Sequence, residues 1–227
     1  MTRQILIIGH RGWPARYPGN TIVGLLAATE VTDRVEVDVR RSSDGKLVLA
    51  HDPTIRGHIV SETPWSVLSE LDLGDGHKPA LLDEALAALP HVKVQLEVKN
   101  LPGEAGYEPD HRIGLEAAER ARAGDIVSGF NWETQALVRR VYPDVSTGIA
   151  VGEHIPLDEA VRHCLDIGHS AVIPEFSLVT AAVNTELEIY PYTVNDSKKA
   201  EELVEFGVTG IITDDPGLIA RRLWSDR

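Results

Sequence analysis

The sequence predicts a (β/α)₈ barrel, with a β-hairpin return strand after the second stave, as one domain spanning residues 1–227. Three observations predict it. Short apolar, β-branched runs alternate with helical segments from end to end. Setting aside the return strand of one hairpin, there are eight such runs, and seven intervals between them can hold a helix. The length of 227 residues is near the ~250 typical of such barrels. The competing architecture, a doubly wound open sheet, usually brings a glycine-rich first turn, and none is present.

The elements follow in order. Ile5–Ile8 is the first strand, and Asn20–Glu30 a helix with Asn20 as its cap. Val35–Val39 and Leu47–Ala50 flank Asp44-Gly45, a strong hairpin signal. Folding about a two-residue turn there sets Asp38 opposite His51. Ser66–Leu71 and Leu82–Leu89 read as short helices, Val92–Val98 as a strand, and Leu101–Pro109 as an exposed loop. Glu116–Ala123 is helical, Ile126–Phe130 a strand, Glu133–Val141 a helix, Thr147–Val151 a strand and Leu157–Leu165 a helix. Ala171–Ile173, a weaker helix over Val179–Val183, Ile189–Val194, a helix over Ser197–Phe206 and Ile211–Thr213 close the pattern.

Composition narrows the function. The formal charge is −13, which repels nucleic acid and anionic membrane surfaces. Apolar residues make up 43% of the chain, enough for a sizeable core, yet no run is long enough to span a bilayer. The single cysteine, Cys164, reads as a buried hydrophobe on an amphipathic helix. Met1-Thr-Arg-Gln4 leads straight into a strand rather than a long apolar segment, so the cytoplasm is the expected location.

The chemistry concentrates at strand ends, where a (β/α)₈ barrel keeps its reactive groups. His10-Arg11 ends the first strand, Glu36 and Asp38 lie in the second, His51-Asp52 ends the hairpin return, and Glu97-Val-Lys99 ends the next stave. Glu175, Tyr192 with Asn195, and Asp214 end later ones. Glu36 and Asp38, two apart in a strand, share a face. Buried there, they need a positive partner. The alternative is an amphipathic edge strand with its acids in water. Oxygen donors favour a hard cation, Mg²⁺ or Ca²⁺, over zinc. Arg11 beside such a site suits phosphate. The remaining histidines, including His111, His163 and His169, read as surface residues, and Asp214 and Asp215 as caps for a helix begun by Pro216.

Taken in order, these segments resemble the glycerophosphodiester phosphodiesterase family. The matching motifs are His10-Arg-Gly12, Pro18-Gly-Asn-Thr21, Glu36-Val-Asp38, Asp44-Gly45 with His51-Asp52, and Glu97-Val-Lys99. Ser128-Gly-Phe130, Tyr192-Thr-Val-Asn-Asp196 and Gly210-Ile-Ile-Thr-Asp-Asp-Pro216 complete them. The resemblance implies hydrolysis of a small-molecule glycerophosphodiester to glycerol 3-phosphate and an alcohol. It implies His10 and His51 as an acid/base pair. Glu36, Asp38 and Glu97 would be ligands of one divalent cation (Mn²⁺ being a further candidate), and Arg11 and Lys99 phosphate-binding groups. Tyr192 and Glu175 would line the substrate pocket. The chain departs from the family at Gly19, where a glutamate is usual, at Tyr192, where tryptophan is common, and at Gly129, which interrupts the usual Ser-Phe pair. Two other readings stay in view: a non-catalytic or metal-impaired phosphodiester-binding barrel, and a sphingomyelinase D-like lyase. The single cysteine and the N-terminal sequence weigh against the lyase. The sequence leaves the oligomeric state undetermined.

Overall fold

A computed structural model describes residues 5–224. The strands and helices run β1 (Leu6–Gly9), α1 (Ile22–Ala28), β2 (Arg34–Arg41), β3 (Leu47–Leu49), β4 (Thr54–Ile55), β5 (His58–Ile59), α2 (Trp65–Leu68) and α3 (Leu82–Ala88). They continue β6 (Lys93–Val98), α4 (Arg112–Arg120), β7 (Ile126–Gly129), α5 (Trp132–Val141), β8 (Ser146–Val151) and α6 (Leu157–Ile167). The chain closes with β9 (Ala171–Pro174), β10 (Glu188–Ile189), α7 (Ser197–Glu205), β11 (Gly210–Thr213) and α8 (Pro216–Leu223).

Eight parallel staves form a nearly closed barrel in sequence order: β1, β2, β6, β7, β8, β9, β10 and β11, with β11 pairing back onto β1. The seam between the last two staves is joined by Thr209 N–H to the Ile189 carbonyl (2.9 Å) and Val194 N–H to the Ile212 carbonyl (2.9 Å). β2 is paired to β1 and β6, and all but its last residue are buried. That excludes the amphipathic edge strand. A stave covered by helices outside and side chains inside is buried on both faces. Val35, Val37 and Val39 pack outward against Leu25, Leu82 and Leu96 in one core cluster. Ile8, Ala150, Ile173 and Ile212, from four staves, form a second cluster with Tyr190, the residue after β10.

The hairpin register differs from expectation by one residue. Ser42 and Lys46 close the turn, with Gly45 at φ +82°. The loop therefore holds three residues rather than two. Val39 faces Leu49, and the Ala50 N–H donates to the Asp38 carbonyl (3.0 Å). Asp38 thus lies opposite Ala50, and His51 stands just beyond the strand.

Other differences have local causes. The cap of α1 is Thr21, whose hydroxyl accepts from Gly24 N–H. Asn20 has φ +60° and turns elsewhere. α4 starts at Arg112, four residues before the expected start, because His111 takes φ +56° and lets the chain turn in early. No helix forms over Val179–Val183; only a 3₁₀ turn at Phe176–Leu178 joins β9 to β10. The 101–109 loop is held down by Asn100, whose side chain bonds the Glu108 backbone in both directions, and by Arg41, which pairs with Glu108 (2.5 Å). Cys164 is fully buried, and burial pushes its thiol up to about 12.

Three histidines expected at the surface are packed. The His169 side chain is buried and shares a hydrogen bond with Thr147 Oγ1 (2.7 Å); His163 lies between it and Trp132. His111 bonds Thr134 Oγ1 (2.9 Å). Burial drives the His169 imidazole down to about 4, with His163 and Arg139 adding to the effect. The native state holds it neutral while the unfolded chain protonates it near pH 6.5. Its contribution to stability is therefore intact above about pH 6.5 and is lost as pH falls toward 4, on the order of 1–3 kcal/mol. His169→Gln is expected to flatten the acid limb of thermal stability between pH 6.5 and 4, read by circular dichroism melts. An unchanged slope would show that His169 protonates freely in the fold.

Candidate active site

The groups singled out lie on the inward face of β2 or at and just beyond strand ends. On β2 alternation turns Glu36, Asp38 and Arg40 inward. On β6 it does the same for Gln95 and Glu97, with Lys99 one step beyond. Register sets Asp38 beside Glu97. One carboxylate oxygen from each of Glu36, Asp38 and Glu97 lies within 4.8 Å of the others, and all three residues are buried.

Two cations sit among these acids. Lys99 Nζ pairs with Asp38 Oδ1 (2.9 Å) and with Glu97 Oε1. Arg11 Nε reaches Asp38 Oδ2 (3.1 Å). Asp38 is further held by Asn20, which donates from Nδ2 to Oδ2 (2.8 Å) and accepts the Asp38 N–H (3.1 Å). Asn20 is a site residue the sequence reading assigned to capping; its position before Thr21 hid a role that needs the barrel to bring β2 alongside. Glu36 accepts the Arg11 N–H at Oε2 (2.9 Å), while its Oε1 is buried with no hydrogen-bond partner among the described residues.

The two β2 acids titrate in opposite directions. Burial raises Glu36 well above the usual carboxylate range, and the neighbouring Asp38 and Glu97 charges raise it further. Burial also opposes ionisation of Asp38, but Lys99, Arg11 and His51 outweigh it and hold Asp38 low. Lys99 is raised despite its burial because Glu97 and Asp38 surround it. The donor set fits a hard divalent cation. It is all oxygen, it converges, and the Glu36 Oε1 atom is desolvated without a hydrogen-bond donor. Three carboxylates against two cations leave one negative charge. A divalent ion converts that to one positive charge, the complement of a phosphodiester.

The two histidines have matching carboxylate partners. His10 Nδ1 meets Asp214 Oδ1 at 2.7 Å, and His51 Nδ1 meets Asp52 Oδ1 at 2.7 Å. A carboxylate at Nδ1 fixes the tautomer and leaves Nε2 for proton transfer. Asp214 is therefore not a helix cap. Asp215 alone caps α8, accepting Leu218 N–H, and it also receives Trp13 Nε1–H (3.0 Å). Burial raises the Asp214 carboxyl, but bonds from His10 and Asn195 outweigh it and hold it low. Asn195 donates to Asp214 Oδ2 (2.7 Å) and accepts Asp214 N–H (2.9 Å). His51 and Arg11 line one cavity of about 240 Å³ with Gly19, Asn20 and Arg56.

An aromatic pair stands beside Lys99. Tyr192 donates to the Val151 carbonyl (3.1 Å) and stands edge-on to Phe130, with ring centroids 5.9 Å apart; Lys99 Nζ lies 5.7 Å from the Phe130 ring centre. Glu175 bridges to Tyr192, and its Oε2 accepts Ser177 N–H (2.8 Å). Gly129, the extra residue before Phe130, sits where a Cβ would fall 2.8 Å from the Val98 carbonyl, so only glycine lets β7 approach β6 there. At Gly19 a Cβ would lie 3.1 Å from Arg11 Cβ, so the arginine stem occupies the space beside it.

Comparison with known proteins decides the assignment. The glycerophosphoryl diester phosphodiesterase family profile matches residues 10–218. The chain belongs to this family. A putative glycerophosphodiester phosphodiesterase, YhdW of Bacillus subtilis, is 28% identical over 95% of this chain and 96% of its own. A glycerophosphodiester phosphodiesterase of Caldanaerobacter subterraneus is 28% identical over 94% and 95%. Among solved structures, an Oleispira antarctica phosphodiesterase in complex with the product sn-glycerol-3-phosphate superposes with a TM-score of 0.83 at 20% identity, covering 97% of each chain. A glycerophosphodiester phosphodiesterase of Parabacteroides distasonis gives 0.83 at 22%, covering 99% of each. These structures bear on the shared barrel of the phosphodiesterase family. Among the described residues no helix is long and apolar enough to cross a membrane.

Proposed function

We propose that this chain hydrolyses glycerophosphodiesters to glycerol 3-phosphate and an alcohol, with a divalent cation and a histidine acid/base pair. The observation that carries the reading is the buried Glu36–Asp38–Glu97 cluster at the barrel mouth, threaded by Arg11 and Lys99, together with two carboxylate-anchored histidines. Glu36, Asp38 and Glu97 would hold the cation, which supplies charge neutralisation at a nonbridging phosphate oxygen. Arg11 and Lys99 donate to the remaining phosphate oxygens, where charge grows as the diester is attacked. One histidine takes a proton from the attacking oxygen at Nε2 and the other gives one to the departing alkoxide. The attacking group is water or the neighbouring glycerol hydroxyl. Tyr192, Phe130 and Glu175 present an apolar face with polar ends suited to glycerol. Glycerophosphodiesters of varied head group, assayed with Mg²⁺, Ca²⁺ or Mn²⁺ and with chelator, test this. The expected result is release of glycerol 3-phosphate with metal and none with chelator. Chelator-insensitive turnover would refute the metal assignment.

Gly19 supports a second reading, a barrel with impaired metal binding, since it offers no carboxylate beside Arg11. Gly19→Glu is expected to raise metal affinity about tenfold, read by calorimetry. Because the new side chain must displace the Arg11 stem, KM should rise with it. Unchanged metal affinity would remove the impaired reading.

A further inference from the structure

His51 stands outside regular structure, one residue beyond the last bond of the β2–β3 ladder, and its side chain is half exposed. Its backbone is nonetheless held. Arg40, the inward residue of β2 after Asp38, is buried at 5% exposure and makes two contacts. Its Nε donates to the His51 carbonyl (2.9 Å), and one terminal nitrogen pairs with Glu104 Oε2 (2.8 Å). Glu104 lies in the loop that follows β6, so the guanidinium ties His51 to the stave carrying Glu97 and Lys99.

We propose that Arg40 and Glu104 form a clamp that positions His51 over the metal cluster. It deepens the acid/base reading of His51 and rests on that reading. A buried guanidinium needs its charge met and its donors used. Glu104 meets the charge, and the planar fork then has a fixed direction in which to present Nε. That direction is the His51 carbonyl. Proton transfer requires the imidazole within about 2.6–3.2 Å of the reacting oxygen, and a displacement of about 1 Å costs on the order of 100-fold. A surface residue without a ladder bond of its own depends on such a tether. Lysine carries the charge but presents no fork, so it cannot serve both partners in this geometry.

The test compares Arg40→Met, Arg40→Lys and Glu104→Gln in the wild-type enzyme and in a His51→Ala background. In the wild type, Arg40→Met should lower kcat by ~10–100-fold with KM and calorimetric metal affinity little changed. Arg40→Lys should lose less. In the His51→Ala background, neither Arg40→Met nor Glu104→Gln should cost anything more, because the group they position is gone. Equal losses in both backgrounds would overturn the clamp, as would wild-type kcat in Arg40→Met when His51→Ala alone is inactive. A fully active His51→Ala enzyme would overturn the acid/base reading and the clamp with it. Should Arg40→Met fail to fold, Glu104→Gln, at a half-exposed position, carries the same comparison.

Discussion

Glu36→Gln is expected to cut turnover by about 10³-fold or more while leaving the fold intact or firmer. The loss would come from the proposed cation, whose charge stabilisation is worth several kcal/mol, each 1.36 kcal/mol being a decade in rate. The gain follows from Glu36 itself. Its carboxyl is buried beside Asp38 and Glu97, with one oxygen lacking a hydrogen-bond partner among the described residues. The folded metal-free protein keeps the Glu36 proton to higher pH than the unfolded chain does. Its stability therefore falls as pH rises above the ordinary carboxylate range. Glutamine removes that dependence. Melts in chelator from pH 5 to 8 should show wild type declining relative to the variant, and added metal should stabilise wild type alone. A variant that still binds metal with wild-type affinity would exclude Glu36 as a ligand.

Removing either histidine is the second large effect. His10→Ala and His51→Ala should each lower kcat by on the order of 10²–10⁴-fold, with metal affinity retained because neither belongs to the carboxylate cluster. A substrate bearing a good leaving group separates the roles. A nitrophenyl ester of glycerol phosphate needs no proton on departure, so it should restore the variant lacking the acid and not the one lacking the base. Equal rescue of both would refute the division of labour. Asp214→Asn should behave as a milder His10→Ala, since Asp214 fixes that imidazole and Asn195 fixes Asp214 in turn.

Glu36, Asp38 and Glu97 were legible in the sequence because alternation within a strand is a local property. His51 was found for an incomplete reason. The Asp-Gly signal marks a turn but not its loop length, and a three-residue loop shifted the pairing by one. Asn20 was read as a cap because its chemistry suits capping, and only the fold brings it to Asp38. Asp214 was read the same way before Pro216, yet it faces His10 from the far end of the chain. Arg40 carried no signal at all, since an arginine in a strand is unremarkable until its partners are seen.

By itself the sequence determined the barrel class and the polar residues at its strand ends. Each depends on periodicity and on spacings within one or two elements. Only the tertiary structure decided which of those groups touch: Lys99 between two acids, Asn20 and Arg11 on Asp38, Asp214 behind His10, Arg40 beneath His51. The reason is physical. Hydrogen bonds and ion pairs act within about 4 Å, and closing a barrel brings His10 and Asp214, 204 positions apart in the chain, to that distance.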